Sequence, residues 1–313
     1  MATSVSDPAP TTWRVHFECT PPGQPPAAPR RPLAFEPFLF LTPAHQALQA
    51  HGCPVLAGFL EDESAGRTVA QLYVVLDFAG PGLARSPGQA SFGGVQLAAG
   101  LPVAALHQLL AAAEATLRQH QQTQLAVRGY PFCYDPAGAA TLAEALRQRG
   151  YQVALAEQNY HLDTHRDYAA HLHPSERRRL HKCHRAGLVV EQEPLFLLPA
   201  AYEFIAACRR ERGQALSLPL GRLEALAQAL PRPHLLFSVR KPGGEWAALT
   251  IAIQVSERVV YNFYPASPLA DNQLSPVVLL NEGLHAYARA SAARVVDLGT
   301  STLPGGPNVP LLH

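Results

Sequence analysis

Two stretches of this chain state the same order of elements, and that repetition limits the folds open to it. Residues 67–78 are extended and apolar, a glycine-bearing segment follows, residues 102–120 carry a long amphipathic helix and residues 124–129 a short strand. The order returns later as paired strands over 245–264, a helix over 276–291 and a final strand over 294–298. Strands in hairpins followed by a helix and a further strand build α/β (α+β) units in which helices cover a mixed sheet. Two similar halves packed side by side are therefore expected, with the place for chemistry in a cleft between them or within one. The length agrees, because 313 residues exceed one ordinary domain and suit two of roughly 150.

Local signals divide the chain. Residues 1–33 are rich in proline, with Pro21, Pro22, Pro25 and Pro26 close together, and read as a loosely ordered arm around one short strand at 13–18. A first domain then covers 34–162 and a second 163–313. In the first, Thr42-Pro43 opens a short helix, residues 54–61 and 67–78 are strands, and the glycine-rich segment 80–100 is a loop with one short strand. Val103, Leu106, Leu110, Ala113 and Leu117 recur at helical spacing, so one apolar stripe of that helix faces a sheet. Residues 137–149 form a second helix ending at Gly150, and 151–155 are extended. In the second domain, helices cover 175–185, 199–212 and 220–229, and strands cover 188–192, 234–240, 246–255 and 258–264. The turns at 241–244 and 256–257 make the last three an antiparallel meander. Ser275-Pro276 opens the next helix as N-cap and first helical residue.

Composition excludes several classes. Formal net charge is +1, so no whole-molecule field draws in a polyanion and any nucleic-acid contact is regional. Apolar content of 48% supplies an ample core, while charged residues are only 16%. The five cysteines, Cys19, Cys53, Cys133, Cys183 and Cys208, are odd in number and never paired as Cys-x-x-Cys, which speaks against a disulfide framework or a thiolate zinc site. The beginning, MATSVSDPAP, lacks a basic segment leading into an apolar run, and no 18 uncharged apolar residues stand together, so a cytoplasmic chain without a membrane span is expected.

The run VVYNFYPASPLADNQLSPVVLLNEGLHAYARASAARVVDLGTST over 259–302 resembles the last third of the GNAT acyltransferase superfamily. More narrowly it is similar to the tandem-GNAT proteins related to the Fem aminoacyltransferases of peptidoglycan bridge synthesis. In that group a basic helix like SERRRLHKCHRAG (175–187) precedes a strand like LVVEQ, and a long helix leads to a strand ending in Asp-Leu-Gly, here Asp297-Leu298-Gly299. The resemblance covers about half the chain with any specificity and implies two GNAT-like mixed-sheet domains. It also implies acyl or aminoacyl transfer to an amine, with a CoA thioester or aminoacyl-tRNA as donor. Two departures stand out. GNAT enzymes that use acetyl-CoA cradle its pyrophosphate with a Gln/Arg-x-x-Gly-x-Gly/Ala loop at a helix N-terminus, where backbone N–H groups bind anions. Here that junction is Leu269-Ala270-Asp271-Asn272-Gln273-Leu274-Ser275-Pro276, without glycine, with an acid, and with a proline that removes one donor. Relatives also run past the Pro-Asn-x-x-Leu-Leu stretch into another strand, whereas this sequence stops at His313. A final strand is expected to be missing or supplied by a partner.

Candidate residues follow. Arg178, Lys182 and Arg185 share one face of the basic helix by i, i+4, i+7 spacing, which suits phosphates, and Ser275 at the entrance of the later helix joins them as a donor-binding candidate. The plainer reading is a solvated face with cations near a helix C-terminus. The histidines at 161, 165, 171, 173, 181 and 184 contain no His-Glu-x-x-His, and metal binding is not supported. Tyr261, Asn262, Tyr264 and Ser267 end the third meander strand, which by the GNAT resemblance lines the cleft where acyl transfer occurs. Strand period two sets Asn262 and Tyr264 on one face and Tyr261 and Phe263 on the other, so a polar pair is expected to point together, able to hold a carbonyl or an amine, with tyrosine as general acid. The alternative is an ordinary half-buried aromatic strand. Asp297, with Thr300 and Ser301, is a candidate base, or else caps the loop after Gly299. No nucleophile elbow, Walker loop or Cys/His dyad is present, leaving hydrolase and nucleotide-triphosphatase chemistry without support. The competing reading is a non-catalytic binding protein that keeps the fold, and a weaker one is nucleic-acid binding through the basic helix alone.

Overall fold

The strand order of each half is set by where its apolar faces fall, and the halves differ in how they begin. A computed structural model describes residues 12–300 and the backbone of 302–303 and 306–307. The chain divides into two compact units, Met1–Gln152 and Val153–His313.

In the first unit, β1 (Trp13–Thr20) pairs antiparallel with β2 (Val55–Asp62) along its whole length, from Trp13↔Asp62 to Thr20↔Val55. The described part of the proline-rich start, from residue 12, thus contributes the edge strand of a sheet, and Thr68 N–H donates to Pro32 O at 2.9 Å while Ala34 N–H donates to Thr68 O at 2.9 Å. After the short helix α1 (Pro43–Gln49) come β2, β3 (Arg67–Val75), β4 (Leu83–Ser86) and β5 (Val95–Leu97). The glycine-rich segment thus holds two strands rather than one, and both pair with β3. Helix α2 (Val103–Gln119) crosses to β6 (Gln124–Val127), parallel to β4, and α3 (Pro136–Gln148) follows, its N-cap Asp135 accepting from Gly138 N–H. The path of the sheet is β1-β2-β3-β4-β6. Leu106, Leu109, Leu110, Ala113 and Leu117 of α2 pack with Leu56, Leu60, Leu72 and Val74 in one core, which is the anticipated apolar stripe except at its start, where Val103 is 42% exposed, and with Leu109 added. Residues 151–158 form no strand.

The second unit begins with an unanticipated strand. β7 (Asn159–Asp163) pairs antiparallel with β12 (Val295–Thr300) at the far end of the chain, so it belongs to this sheet and the division falls before residue 153 rather than after 162. Between them lie α4 (Tyr168–His171), α5 (Pro174–Arg185), β8 (Val189–Glu193), α6 (Leu198–Glu211), α7 (Leu220–Ala229), β9 (His234–Arg240), β10 (Trp246–Ser256), β11 (Val259–Asn262) and α8 (Pro276–Ala290). The sheet runs β7-β12-β11-β10-β9-β8, with only β11 and β12 parallel. Its two faces carry separate cores. Leu279, Leu280, Leu284 and Ala288 of α8 and Leu180 and Cys183 of α5 cover Phe237, Val239, Ala248, Ala252, Val260 and Val296. Ala201, Ile205 and Cys208 of α6 with Leu223 and Ala227 of α7 cover Leu236, Leu249 and Ile251 on the other side. The alternation along β10 from Ala248 to Ala252, even residues to α8 and odd residues to α6 and α7, is the period-two rule for a strand buried on both faces, and it begins only after the register shift between Trp246 and Ala248. Among the described residues no helix is long and apolar enough to cross a membrane. After β12 the backbones of Thr302–Leu303 and Gly306–Pro307 pair antiparallel as a separate two-stranded sheet, and residues 308–313, with most of the Pro-Asn-x-x-Leu-Leu stretch, lie outside the described residues.

Candidate active site

β11 and β12 lie side by side for only three pairs, Val259↔Val295, Val260↔Val296 and Tyr261↔Asp297. Then each turns to its other neighbour. Phe263 N–H and Tyr264 N–H both donate to Ile251 O, at 3.1 and 3.0 Å, and Leu249 and Ala266 exchange two bonds of 2.9 Å, so the chain after β11 leans toward β10. β12 shifts register between Asp297 and Gly299 and continues along β7 with Gly299↔Tyr160 and Thr300↔Asn159. The backbone pairing of the two strands ends at Tyr261 and Asp297.

Two N–H groups sharing one carbonyl is a β-bulge, and it breaks the side-chain alternation. Asn262 faces α8, whereas Phe263 and Tyr264 both turn toward α6 and α7, their rings stacked at 3.9 Å. The expectation that Asn262 and Tyr264 point together is thereby corrected: they occupy opposite faces. Asn262 is 3% exposed; its Oδ1 accepts from Thr250 Oγ1 at 2.6 Å and its Nδ2 donates to Asn281 Oδ1 at 3.0 Å. Tyr264 is 6% exposed, its hydroxyl 2.5 Å from Ser217 Oγ and accepting from Leu218 N–H at 3.0 Å. Nearby, Tyr202 Oη donates to Leu218 O at 2.9 Å and Arg209 bonds Gln214 Oε1 at 2.8 Å and Pro265 O at 3.3 Å. Burial pushes the Tyr202 phenol up, with Tyr264 adding to the effect, and pulls the Arg209 guanidinium down. These bonds tie the loop between α6 and α7 to the strand that follows the bulge.

On the same face as Tyr264, Tyr261 is half-buried, its ring 5.6 Å from that of Phe263 and passing beside Gly299, where a Cβ would come within 3.6 Å of it. Asp297, its cross-strand partner, is 2% exposed and accepts from Asn159 Nδ2 at 2.8 Å and Gly299 N–H at 2.7 Å. The bond to Gly299 is the loop-capping role that competed with catalysis for this residue. Thr300 is exposed at the end of β12, and Ser301 lies outside the described residues.

The basic helix lies beside the entrance to α8. Lys182 Nζ donates to Gln273 O at 2.7 Å and the Cys183 thiol to Leu274 O at 3.0 Å, while Leu180 and Cys183 are buried against α8. Arg178, Lys182 and Arg185 are exposed, and Arg178 and Arg185 make no hydrogen bond or ion pair among the described residues. Burial pushes the Cys183 thiol up, which keeps it protonated and inert as a nucleophile. The loop into α8 is held from other sides by Lys241 Nζ on Asp271 Oδ1 at 2.7 Å and by Leu269 N–H on Glu211 Oε2 at 2.8 Å. Ser275 is the N-cap by position only: at φ 51° it is left-handed, and its hydroxyl donates back to Asn272 O at 3.2 Å instead of capping the helix. With Pro276 lacking an N–H and Val278 N–H given to Ser275 O, backbone donors at this terminus are few, so side-chain cations must carry most of any anion binding.

Sequence reasoning missed Thr250, Asn281 and Asn159. The signal was present in the first two: Thr250 interrupts the apolar face Ala248, Ala252 of β10, and Asn281 interrupts the sheet-facing stripe of α8. Among the described residues no group of three or more His, Cys, Asp or Glu could hold a metal ion. In the first unit a cavity of about 10 Å³ lined by Leu72, Leu110, Leu125, Leu142 and Tyr151 is apolar and too small for a substrate.

No family model matches the chain, and no curated protein matches it by sequence. Solved structures do. FemX superposes with a TM-score of 0.63 over 85% of this chain and 85% of that one, at 12% identity. A conserved protein of unknown function from Bacteroides thetaiotaomicron gives 0.53 over 86% and 85%, at 9% identity. A tandem GNAT protein from the clavulanic acid biosynthesis pathway gives 0.45 over 82% and 77%, at 14% identity. At such identities the likeness shows the fold alone: the chain folds as FemX does, as its sequence had suggested.

Proposed function

We propose that this protein is an acyltransferase, moving an acyl or aminoacyl group from a CoA thioester or an aminoacyl-tRNA to an amine in the notch of the second unit. The observation that carries the reading is the parting of β11 and β12 beside a helix entrance flanked by the exposed cations of α5. In such a site the amine nitrogen attacks the acyl carbonyl, the new C–N bond forms, the C–S bond of the thioester or the C–O bond of the tRNA ester breaks, and the amine's proton leaves with the departing group or to solvent. The protein's part is positioning. Arg178, Lys182 and Arg185 hold donor phosphates, Ser275 shapes the turn beneath them, and Tyr261 and Asp297 border the reacting carbonyl.

Thermal-shift measurements with acetyl-CoA and with aminoacyl-tRNA, followed by transfer of a labelled acyl group to a panel of amines, test the proposal. Stabilisation by one donor class, and label on an amine, are the expected results. With tRNA as the probe, the triple substitution Arg178→Ala, Lys182→Ala, Arg185→Ala should weaken binding and lower the salt slope by roughly two to three. The absence of both stabilisation and transfer, with both donors, would overturn the enzyme reading. A binding protein that keeps the fold is the second reading, favoured by the burial and internal bonding of Asn262 and Tyr264. It predicts a ligand-induced shift without transfer.

A further inference from the structure

A chain of amide and hydroxyl groups crosses the otherwise apolar space between the second sheet and α8. Thr250, 0% exposed, sits on β10 among Ala248, Ala252 and Val260 and hands its proton to Asn262 Oδ1, and Asn262 Nδ2 donates to Asn281 Oδ1. Polar groups in such a place are costly to bury, and alanine or valine would fill it as well as its neighbours do. Thr250 Oγ1 also lies 3.2 Å from Ile251 O, so the direction of the relay follows from its shorter bond, 2.6 Å, to Asn262 Oδ1. A hydroxyl donating to Asn262 Oδ1 leaves only the Nδ2 of that residue to face Asn281, which must then turn its own Oδ1 inward and its Nδ2 outward. Asn281 is partly exposed and stands roughly 7.5 Å along α8 from Pro276 by the helical rise. Its partner Asn262 is the last residue of β11, next to the point where the strands part.

We infer that Asn281 is a binding residue of the notch, its Nδ2 held by Thr250 and Asn262 as a donor to the carbonyl oxygen of the acyl group. This rests on the acyltransfer reading and adds to it the group that meets the reacting carbonyl. A donor oriented before substrate arrives costs no reorganisation as negative charge builds on that oxygen, which is where such donors count most. Asn262 acts through Asn281 and is a positioning residue, which also accounts for its burial.

Two measurements test this. In protein labelled with ¹⁵N at asparagine, titration with S-acetyl-N-acetylcysteamine, a small thioester without phosphates, should move the side-chain amide signals of Asn281 in a saturable way. Thr250→Val, which keeps shape and removes the hydroxyl, should abolish that movement. Signals of Asn281 that stay fixed at saturating probe, or that move equally in the Thr250→Val protein, overturn the inference. In turnover assays with the donor that proves active, Asn281→Asp keeps the bond from Asn262 but replaces the outward donor with an anion, and should lower kcat about 100-fold with an unchanged melting temperature. An unchanged kcat would sink the proposal, and a lower melting temperature with unchanged kcat would assign the relay to structure alone. If no donor is transferred but the Asn281 signals follow the probe, the carbonyl site stands and the enzyme reading falls.

Discussion

The hydroxyl of Tyr264 fastens the loop between α6 and α7 to the strand after the bulge, so its removal should be felt as loosened structure. Tyr264→Phe deletes the bonds to Ser217 and Leu218 N–H and should cost about 1–2 kcal/mol in urea unfolding. A variant as stable as the parent would show that the loop is held by other contacts. His234 offers a separate test at this scale. It is buried at the start of β9, with Nδ1 2.7 Å from Leu230 O, and burial lowers its pKa from 6.5, outweighing the bond to Leu230. A histidine depressed in the folded state favours folding fully above the unfolded value and loses that contribution as pH falls below it. Stability should therefore decline as pH drops from about 6.5, and His234→Phe should flatten that part of the curve. An identical slope in both proteins would place the titration elsewhere.

Helix α8 reaches the sheet closely because Gly283 faces Val190 of β8. A Cβ at that position would come within 2.3 Å of Val190 Cγ1 and 3.1 Å of its Cβ, so rotation of the valine alone does not relieve the clash. Ala has the higher helix propensity by about 1 kcal/mol, yet overpacking costs about 1–3 kcal/mol, and Gly283→Ala should come out destabilised. A gain in melting temperature would mean that α8 sits farther from β8 than described. The close approach matters to the site because α8 carries both Asn281 and the helix entrance beside Lys182. The bulge after β11 is the other element-level device: one extra residue sends Tyr264 to the face opposite Asn262 and directs the chain away from β12.

At the scale of the whole molecule, β7 decides where the second unit begins. It pairs with β12 and gives that strand a partner on the side away from β11. A fragment starting at residue 153 should fold, whereas one starting at 163, the boundary drawn from sequence, exposes the edge of β12 and should aggregate. Equal solubility and cooperative melting of both fragments would show that β7 is dispensable. Much of this architecture was legible beforehand. The helices α2, α3, α5, α6, α7 and α8 and the meander of β9, β10 and β11 were written in apolar spacing, turn residues and proline-led helix starts, all of which act within a dozen residues. The basic face of α5 was likewise visible as i, i+4, i+7 spacing. What stayed hidden depends on partners far apart in the chain: β7 beside β12, β1 beside β2, and the relay from Thr250 to Asn281. Strict alternation placed Asn262 with Tyr264 because nothing local announces a bulge; it arises when Phe263 and Tyr264 compete for the carbonyl of Ile251. The sequence by itself determined most of the helices, the meander and the repeated α/β plan, since periodicity is a property of neighbouring residues. Only the tertiary structure decided which polar groups meet at the notch, because hydrogen bonds between distant strands and helices, and the register shifts they impose, exist only once the chain has packed.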